Sequence, residues 1–457
     1  MTKPLIQINN LQIYDSIISA NIAEGELDAI IGPNRSGKTT LAEILRGELR
    51  NFKGTVINSI DYRQISYSAY SADGNIFHYS DFYYQQRYNT FDVANIDTVE
   101  QYLQYDTSDN YMHELFNAVL PHQILVTKII ELSSGETRKV LLLKNLFKDA
   151  KIYILDNPFS GLDEAAILIF IDLFKRITHR YGKTIILLLN DNPLEIKFTQ
   201  TIRLGDKGFN EPIVDSPPVL QSVFYTTPPV DFNIVFQIEN EILKAGERIL
   251  INDLSWVIKK GEKWLLKGAN GSGKSTLLSL LNADNPIAYR YDFKLFDRKR
   301  GSGESIWDIK SRIGFISSEI QLYFNRSHSV KDIILSGFSN TMVLNRRISD
   351  DEEANYHSII ETLGLGRIEN ASFGRLSSGE KKTVMITRAL VKNPPVLILD
   401  EPFQDLDNAR FRFLYHFLAQ CADENRTVIQ TAHQDYEILP GMDRIALIEN
   451  EALVITG

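Results

Sequence analysis

GPNRSGKT at residues 32–39 and GANGSGKS at residues 268–275 decide how this chain is read. Both fit a phosphate-loop pattern, and each follows a short apolar run, LDAIIG at 27–32 and KWLLKG at 263–268. Such a loop needs glycines because backbone N–H groups must come close to phosphate oxygens, and the helix that follows favours negative charge at its first turn. The candidate phosphate-binding residues are Gly32, Asn34, Ser36, Gly37, Lys38, Thr39 and Thr40 in the first loop. In the second they are Gly268, Asn270, Gly271, Ser272, Gly273, Lys274, Ser275 and Thr276. Lys38 and Lys274 are spaced to reach outer phosphates, and the hydroxyls of Thr39 and Ser275 to share a magnesium ion with a carboxylate.

The same order of motifs occurs twice. LSSGE at 132–136 returns at 376–380, and an apolar run ending in aspartate, IYILD closing at Asp156, returns as VLILD closing at Asp400. Gly135 lies 21 residues before Asp156, and Gly379 lies 21 before Asp400. The loop lysines are 236 residues apart but the aspartates 244, so the second copy carries about eight extra residues between its first two motifs. IYILD, TIILLL at 184–189 and TVIQTA at 427–432 suit buried parallel strands, whereas TRKVLLLKNLFK at 137–148 has a helical pattern. Strands alternating with helices predict an α/β chain with crossover connections. At 457 residues, two domains of roughly 200 residues each are expected. The boundaries fall at 1–210, a linker at 211–232, and 233–457. Five prolines (Pro212, Pro217, Pro218, Pro228, Pro229) and four acids against one lysine within 205–232 make that linker stiff and mildly acidic.

With 44% apolar and 10% aromatic residues the chain has material for two cores, and 23% charged residues suits a solvated surface. Forty-nine basic against 58 acidic side chains leave a net charge of −9, which argues against a polyanion as the main partner and makes phosphate recognition local. Cys421 is the only cysteine, so an intramolecular disulfide is excluded and a reducing compartment expected, with a small buried apolar side chain as its simplest role. MTKPLIQINNLQIY lacks the layout of a secretory leader, and no apolar run nears the roughly 18 residues of a membrane helix. A cytoplasmic protein is predicted, at most peripheral at the inner face of the cell membrane, with any span supplied by another chain.

With both loops, both LSSGE segments and both strand aspartates in this order, the chain resembles the ATP-binding cassette superfamily, as two cassettes in tandem. LSSGE is similar to that family's LSGGQ signature, with Gly to Ser and Gln to Glu as departures. The resemblance implies two P-loop NTPase domains in an α/β fold, each with a mostly parallel core sheet, an antiparallel β subdomain and a helical signature subdomain. It also implies ATP and Mg2+ as ligands, Asp156 and Asp400 as metal ligands beside Thr39 and Ser275, and head-to-tail pairing of the cassettes within one chain. One composite site then comprises Lys274, Ser275, Asp400, Glu401 and His433, completed by Ser133 and Gly135. The other comprises Lys38, Thr39, Asp156, Asn157 and Asn190, completed by Ser377 and Gly379. Glu401 is the expected catalytic base or water-positioning group, and His433 the switch residue that meets the terminal phosphate. Asn157 and Asn190 stand at the same two positions of the first cassette, and an amide takes no proton at neutral pH. The first site is expected to bind ATP and hardly to hydrolyse it.

Gln86, in the aromatic-rich FHYSDFYYQQRYNTF at 77–91, falls where the family has a glutamine that contacts the metal, while IGFISSEIQ at 313–321 offers Ser318 and Glu319 instead. Those aromatics suit a core, a docking face for a membrane partner, or a stacking surface for bases. Tyr14 precedes the first loop where the family often has an adenine-stacking aromatic, and the second loop has no aromatic counterpart. Trp264 reads as core, and Arg298, Lys299 and Arg300 as a solvated loop. The tandem layout, IGFISSE and VKDIILSGF at 330–338 are similar to the molybdenum-transport-associated two-cassette proteins, which implies the ATPase of a separate membrane permease. The alternative is a soluble translation or nucleic-acid-associated factor. Against it stand the acidic, proline-rich linker, where such factors carry a basic helical insert, and the missing glutamate of the first cassette.

Overall fold

Short, mostly apolar strands form the centre of each half, flanked by helices. The computed structural model describes residues 4–33, 36–69, 97–129, 132, 134–205, 227–245, 248–283, 286–317, 320, 324, 327–344, 346–404, 406–432 and 434–456. These fall into two units, one formed by residues 4–69 with 97–205 and the other by 227–456.

In chain order the first unit runs β1 (Ile6–Ile13), β2 (Ser16–Ile22), β3 (Leu27–Ile31), α1 (Lys38–Leu45), β4 (Lys53–Asn58), β5 (Ile65–Ala69), α2 (Val99–Leu103), α3 (Asn110–Val119), α4 (Ser134–Leu146), β6 (Ile152–Asp156), α5 (Glu164–Tyr181), β7 (Thr184–Leu189) and β8 (Thr201–Arg203). Its core sheet has the order β5-β6-β7-β3-β8, with every pairing parallel. All residues of β3, β6 and β7 are buried, as strands covered on both faces require. A separate antiparallel sheet, β2-β1-β4, shows the alternation of a half-buried ribbon along β2.

The second unit continues with β9 (Ile234–Ala245), β10 (Arg248–Lys259), β11 (Lys263–Gly268), α6 (Lys274–Leu281), β12 (Phe293–Leu295), β13 (Arg298–Lys299), α7 (Ile306–Ser311), β14 (Ile313–Ile316), α8 (Val330–Leu335), α9 (Asp350–Thr362), α10 (Ser378–Leu390), β15 (Val396–Leu399), α11 (Asn408–Cys421), β16 (Thr427–Thr431), β17 (Arg444–Glu449) and β18 (Ala452–Thr456). Its core order, β14-β15-β16-β11-β17-β18, repeats the first sheet and adds an antiparallel edge strand. The β17–β18 hairpin turns on Asn450 and Glu451, both at positive φ, as a two-residue turn matched to strand twist demands. The antiparallel sheet is β10-β9-β12-β13.

The duplication extends to irregularities. Asn10 and Asn240 both adopt positive φ at a register shift, and the N–H of each donates at 3.0 Å to a serine hydroxyl on the neighbouring strand, Ser19 and Ser255 respectively. The α/β architecture expected from the sequence, with mostly parallel core sheets and antiparallel companions, is the one observed.

Trp264 packs edge-to-face on Trp256 at 5.4 Å, and its indole N–H donates to Glu262 at 3.0 Å, so the ring is core. Cys421 is fully buried, and burial pushes its thiol up to about 12, which leaves it unreactive. Arg298 and Lys299 are exposed as expected, but they form the short edge strand β13 rather than a loop, and at Arg300 the expectation of solvation fails. Its guanidinium is buried over the Tyr289 ring and bonded to Glu304 at 2.6 Å. Burial works to raise the Glu304 carboxyl, but the Gly301 N–H and Arg300 outweigh it and hold the group down at about 2.

Candidate functional site

Both phosphate loops follow the carboxyl end of an interior strand of a core sheet, β3 or β11, where a parallel α/β sheet opens a crevice for ligands. Gly37 (φ 98°) and Gly273 (φ 106°) cap α1 and α6 in the left-handed region, a conformation that strains any side chain. A Cβ on Gly32 would lie 2.6 Å from Ser36 Oγ and 2.9 Å from the Leu204 carbonyl. On Gly268 it would meet Ser272 Oγ at 2.6 Å and the Ile448 carbonyl at 2.9 Å. The two loops are thus the same cradle built twice.

Their donor sets fit a phosphate. Ser36 Oγ, Ser272 Oγ and Asn270 Nδ2 are buried without a protein partner, which costs free energy unless a ligand takes the hydrogen bond. Lys38 Nζ donates to the carbonyls of Gly32 and Pro33, the latter at 2.8 Å, and Lys274 Nζ to those of Gly268 and Ala269 at 2.7 and 3.0 Å. The Thr39 hydroxyl donates to Asp156 Oδ2, and the Ser275 hydroxyl to Asp400 Oδ2, both at 3.2 Å. Each pair presents hard oxygens of the kind magnesium takes. Thr40 and Thr276 follow one residue further into the helices.

The residue after each aspartate takes the same unusual backbone: Asn157 has φ 51° and Glu401 φ 49°. Their surroundings differ. The Asn157 N–H donates to the Leu188 carbonyl at 2.9 Å. The Glu401 N–H donates instead to the Thr431 hydroxyl at 3.0 Å, and the Glu401 carbonyl accepts from Lys382 Nζ at 2.9 Å. Arg138, in the place of Lys382 on the first signature helix, turns to Ser160. Asn190, expected from the resemblance at the switch position of the first cassette, accepts from Lys38 Nζ through its Oδ1 at 3.0 Å.

Ser377 caps α10, accepting from the Glu380 N–H, while the Glu380 carboxylate accepts from the Ser377 N–H at 2.9 Å and its hydroxyl at 2.8 Å. Of the two departures in LSSGE, the Gln to Glu change at Glu380 therefore takes part in a reciprocal helix cap with Ser377. Gly379 and Gly135 lie in the first turns of α10 and α4. Asn34, Gln86, Ser133, His433 and the aromatic stretch 77–91 lie outside the described residues. Tyr14, at φ 52°, sets its ring about 3.1 Å from where a Gly37 Cβ would project, whereas Leu250 takes the corresponding place beside Gly273.

Three groups at these centres were missed in the sequence. Tyr67 donates its phenol to Asp156 Oδ2 at 3.1 Å, while Thr431 and Lys382 hold Glu401. A hydroxyl at the end of TVIQTA was the available signal for Thr431, but its target becomes visible only once β16 lies beside β15.

The ABC transporter family pattern matches residues 16–160 and 251–404. The ABC transporter ATP-binding protein ModF of Escherichia coli (strain K12) is 32% identical over 445 residues, covering 88% of this chain and 87% of that protein. An uncharacterised ABC transporter ATP-binding protein of Schizosaccharomyces pombe is 26% identical, over 96% of this chain and 95% of its own length. Among solved structures, a dimeric ATP-binding cassette in a post-hydrolysis state bound to ADP and Pi matches 48% of this chain and 97% of its own, at 22% identity and a TM-score of 0.41. With the family pattern matching twice and the cradle built twice, this chain belongs to the ABC transporter family and is a two-cassette, ATP-binding ATPase.

Proposed function

We propose that this ATPase energises a separate membrane permease, with hydrolysis confined to the second cassette and the first holding ATP as a clamp. One observation carries the asymmetry: Asn157 and Glu401 occupy the same backbone station immediately after the metal aspartate, one an amide and the other a carboxylate. Glu401 accepts a proton from, or orients, the attacking water. A positioned base of this kind contributes about 10² to 10⁴ in rate, and Asn157 cannot supply it. In each cassette the loop N–H groups and the lysine hold the phosphates. Thr39 with Asp156, and Ser275 with Asp400, would hold magnesium, which would add positive charge there. In this reading the cassettes pair head-to-tail within one chain, Ser133 and Gly135 completing the hydrolytic site with His433 as its switch, and Ser377 and Gly379 completing the other.

The asymmetry is tested by phosphate release from Glu401→Gln and Asn190→His. The first substitution should remove about 10² to 10⁴ in rate and the second leave it within about threefold; equal losses overturn the assignment. A permease is favoured by the relatives' description as ABC transporter ATP-binding proteins, and by the described residues containing no helix long and apolar enough to cross a membrane. Trapping Glu401→Gln with ATP on solubilised membranes should recover a multispanning protein that lacks its own cassette. ATPase activity stimulated by RNA instead would favour a nucleic-acid-associated factor.

A further inference from the structure

We propose that Thr431 is a positioning residue for hydrolysis in the second cassette, fixing the metal aspartate and the catalytic glutamate as one rigid unit. This rests on Glu401 being the base. The Thr431 side chain is buried at the carboxyl end of β16, and its single hydroxyl is used in both directions. It donates to Asp400 Oδ1 at 2.7 Å and accepts from the Glu401 N–H at 3.0 Å. Ser275 holds the other carboxylate oxygen, so Asp400 is oriented from two sides.

The first cassette provides the comparison. Asp156 lies opposite Leu188 in the β6–β7 register, and the β15–β16 register, in which Leu399 lies opposite Gln430, carries on to set Asp400 opposite Thr431. Leucine stands in the cassette that has an amide after its aspartate, and threonine in the one that has a carboxylate. With leucine there, the Asn157 N–H falls back on the Leu188 backbone carbonyl. A threonine hydroxyl buried at a strand end could merely satisfy local polar groups. Here, however, both groups it satisfies belong to the reacting centre, and the Glu401 peptide it grips is at φ 49°, a conformation that persists only where neighbours impose it. Lys382 supplies the second grip, on the carbonyl side.

The experiment compares Thr431→Val, which keeps the shape and removes the hydroxyl, with Thr431→Ser, which keeps the hydroxyl, in the full chain. Thr431→Val should lower kcat by about tenfold or more while KM for ATP at saturating Mg2+ moves less than about threefold, because a hydrogen bond to a charged group is lost at the reacting centre while the phosphate-loop contacts stay. In a Lys38→Ala background, where the second loop alone binds, the Mg2+ concentration for half-maximal binding of a fluorescent ATP analogue should rise several-fold. Thr431→Ser should restore both. If the valine chain does not fold, Thr431→Ala against Thr431→Ser gives the same contrast. A kcat within twofold of the parent for the hydroxyl-free variant, or a serine variant as defective as it, overturns the proposal. Activity surviving in Glu401→Gln would instead sink the underlying assignment of the base, so the two failures are separable.

Discussion

Glu401 sits at φ 49°, where a side chain other than glycine or asparagine costs about 1–2 kcal/mol. The Glu401 peptide stays there because Thr431 holds its N–H at 3.0 Å and Lys382 its carbonyl at 2.9 Å. Replacing Glu401 by Gln and, separately, by Asn divides chemistry from strain. Both changes remove the carboxylate, so both should abolish hydrolysis. Only asparagine is at ease in the left-handed region, so Glu401→Asn should be more stable than Glu401→Gln by about 1 kcal/mol. For a unit of about 200 residues that is a difference of roughly 2–4 °C in Tm. Calorimetry of the nucleotide-free protein reads it directly, in the transition of the second unit. Charge loss is common to both variants and cancels in the difference. If Glu401→Asn melts at or below Glu401→Gln, the backbone at this station is not strained, and the account of a glutamate held in place at a cost fails.

Two further perturbations follow from the same structure. Asp28 is buried on β3, with Oδ1 accepting from the Gln200 N–H at 3.0 Å and Oδ2 lacking a partner. Burial, helped by Glu26, pushes its carboxyl up to about 7. Because the folded value lies above the unfolded one, Asp28 costs no stability below about pH 4 and progressively more as pH rises to about 7, up to about 4 kcal/mol. Asp28→Asn should therefore raise the urea midpoint at pH 8 and change it little at pH 4, and a pH-independent difference would count against the burial account. In the first cassette, the Tyr67 phenol and the Thr39 hydroxyl share Asp156 Oδ2. Tyr67→Phe, the ring already present as Phe315 in the matching register, should strengthen Mg2+–ATP binding a few-fold in a Lys274→Ala background, measured by titration calorimetry; unchanged or weaker binding contradicts competition for that oxygen.

The phosphate loops, the aspartates and the α/β class were legible because each is a local pattern: a glycine spacing, an apolar run of strand length, a charged residue at its end. TIILLL at 184–189 is β7 to the residue, and IYILD is β6. The antiparallel sheets were less legible, since their repetition lies in a positive φ at Asn10 and Asn240, which the short shared stretches QINN at 7–10 and QIEN at 237–240 do not announce. Arg300 was misjudged because three adjacent cations look alike in a sequence, whereas Glu304 and Tyr289 select one of them for burial. Thr431, Lys382 and Tyr67 escaped notice because each meets its target across strands or helices far apart in the chain.

These contacts also bear on what the first cassette has become. If only Asn157 differed between the halves, restoring a carboxylate there would restore a hydrolytic centre. The neighbours differ too. Leucine replaces the bridging threonine, an arginine turned to Ser160 replaces the lysine on the glutamate carbonyl, and a tyrosine hydroxyl is added to the aspartate. A glutamate at 157 would enter the left-handed region with only the Leu188 carbonyl to hold its N–H. The amide is the residue that this backbone accepts without support. Without the bridge and the lysine grip, asparagine is the stable occupant, and the proposed loss of hydrolysis would rest on the whole neighbourhood of Asp156 rather than on a single side chain.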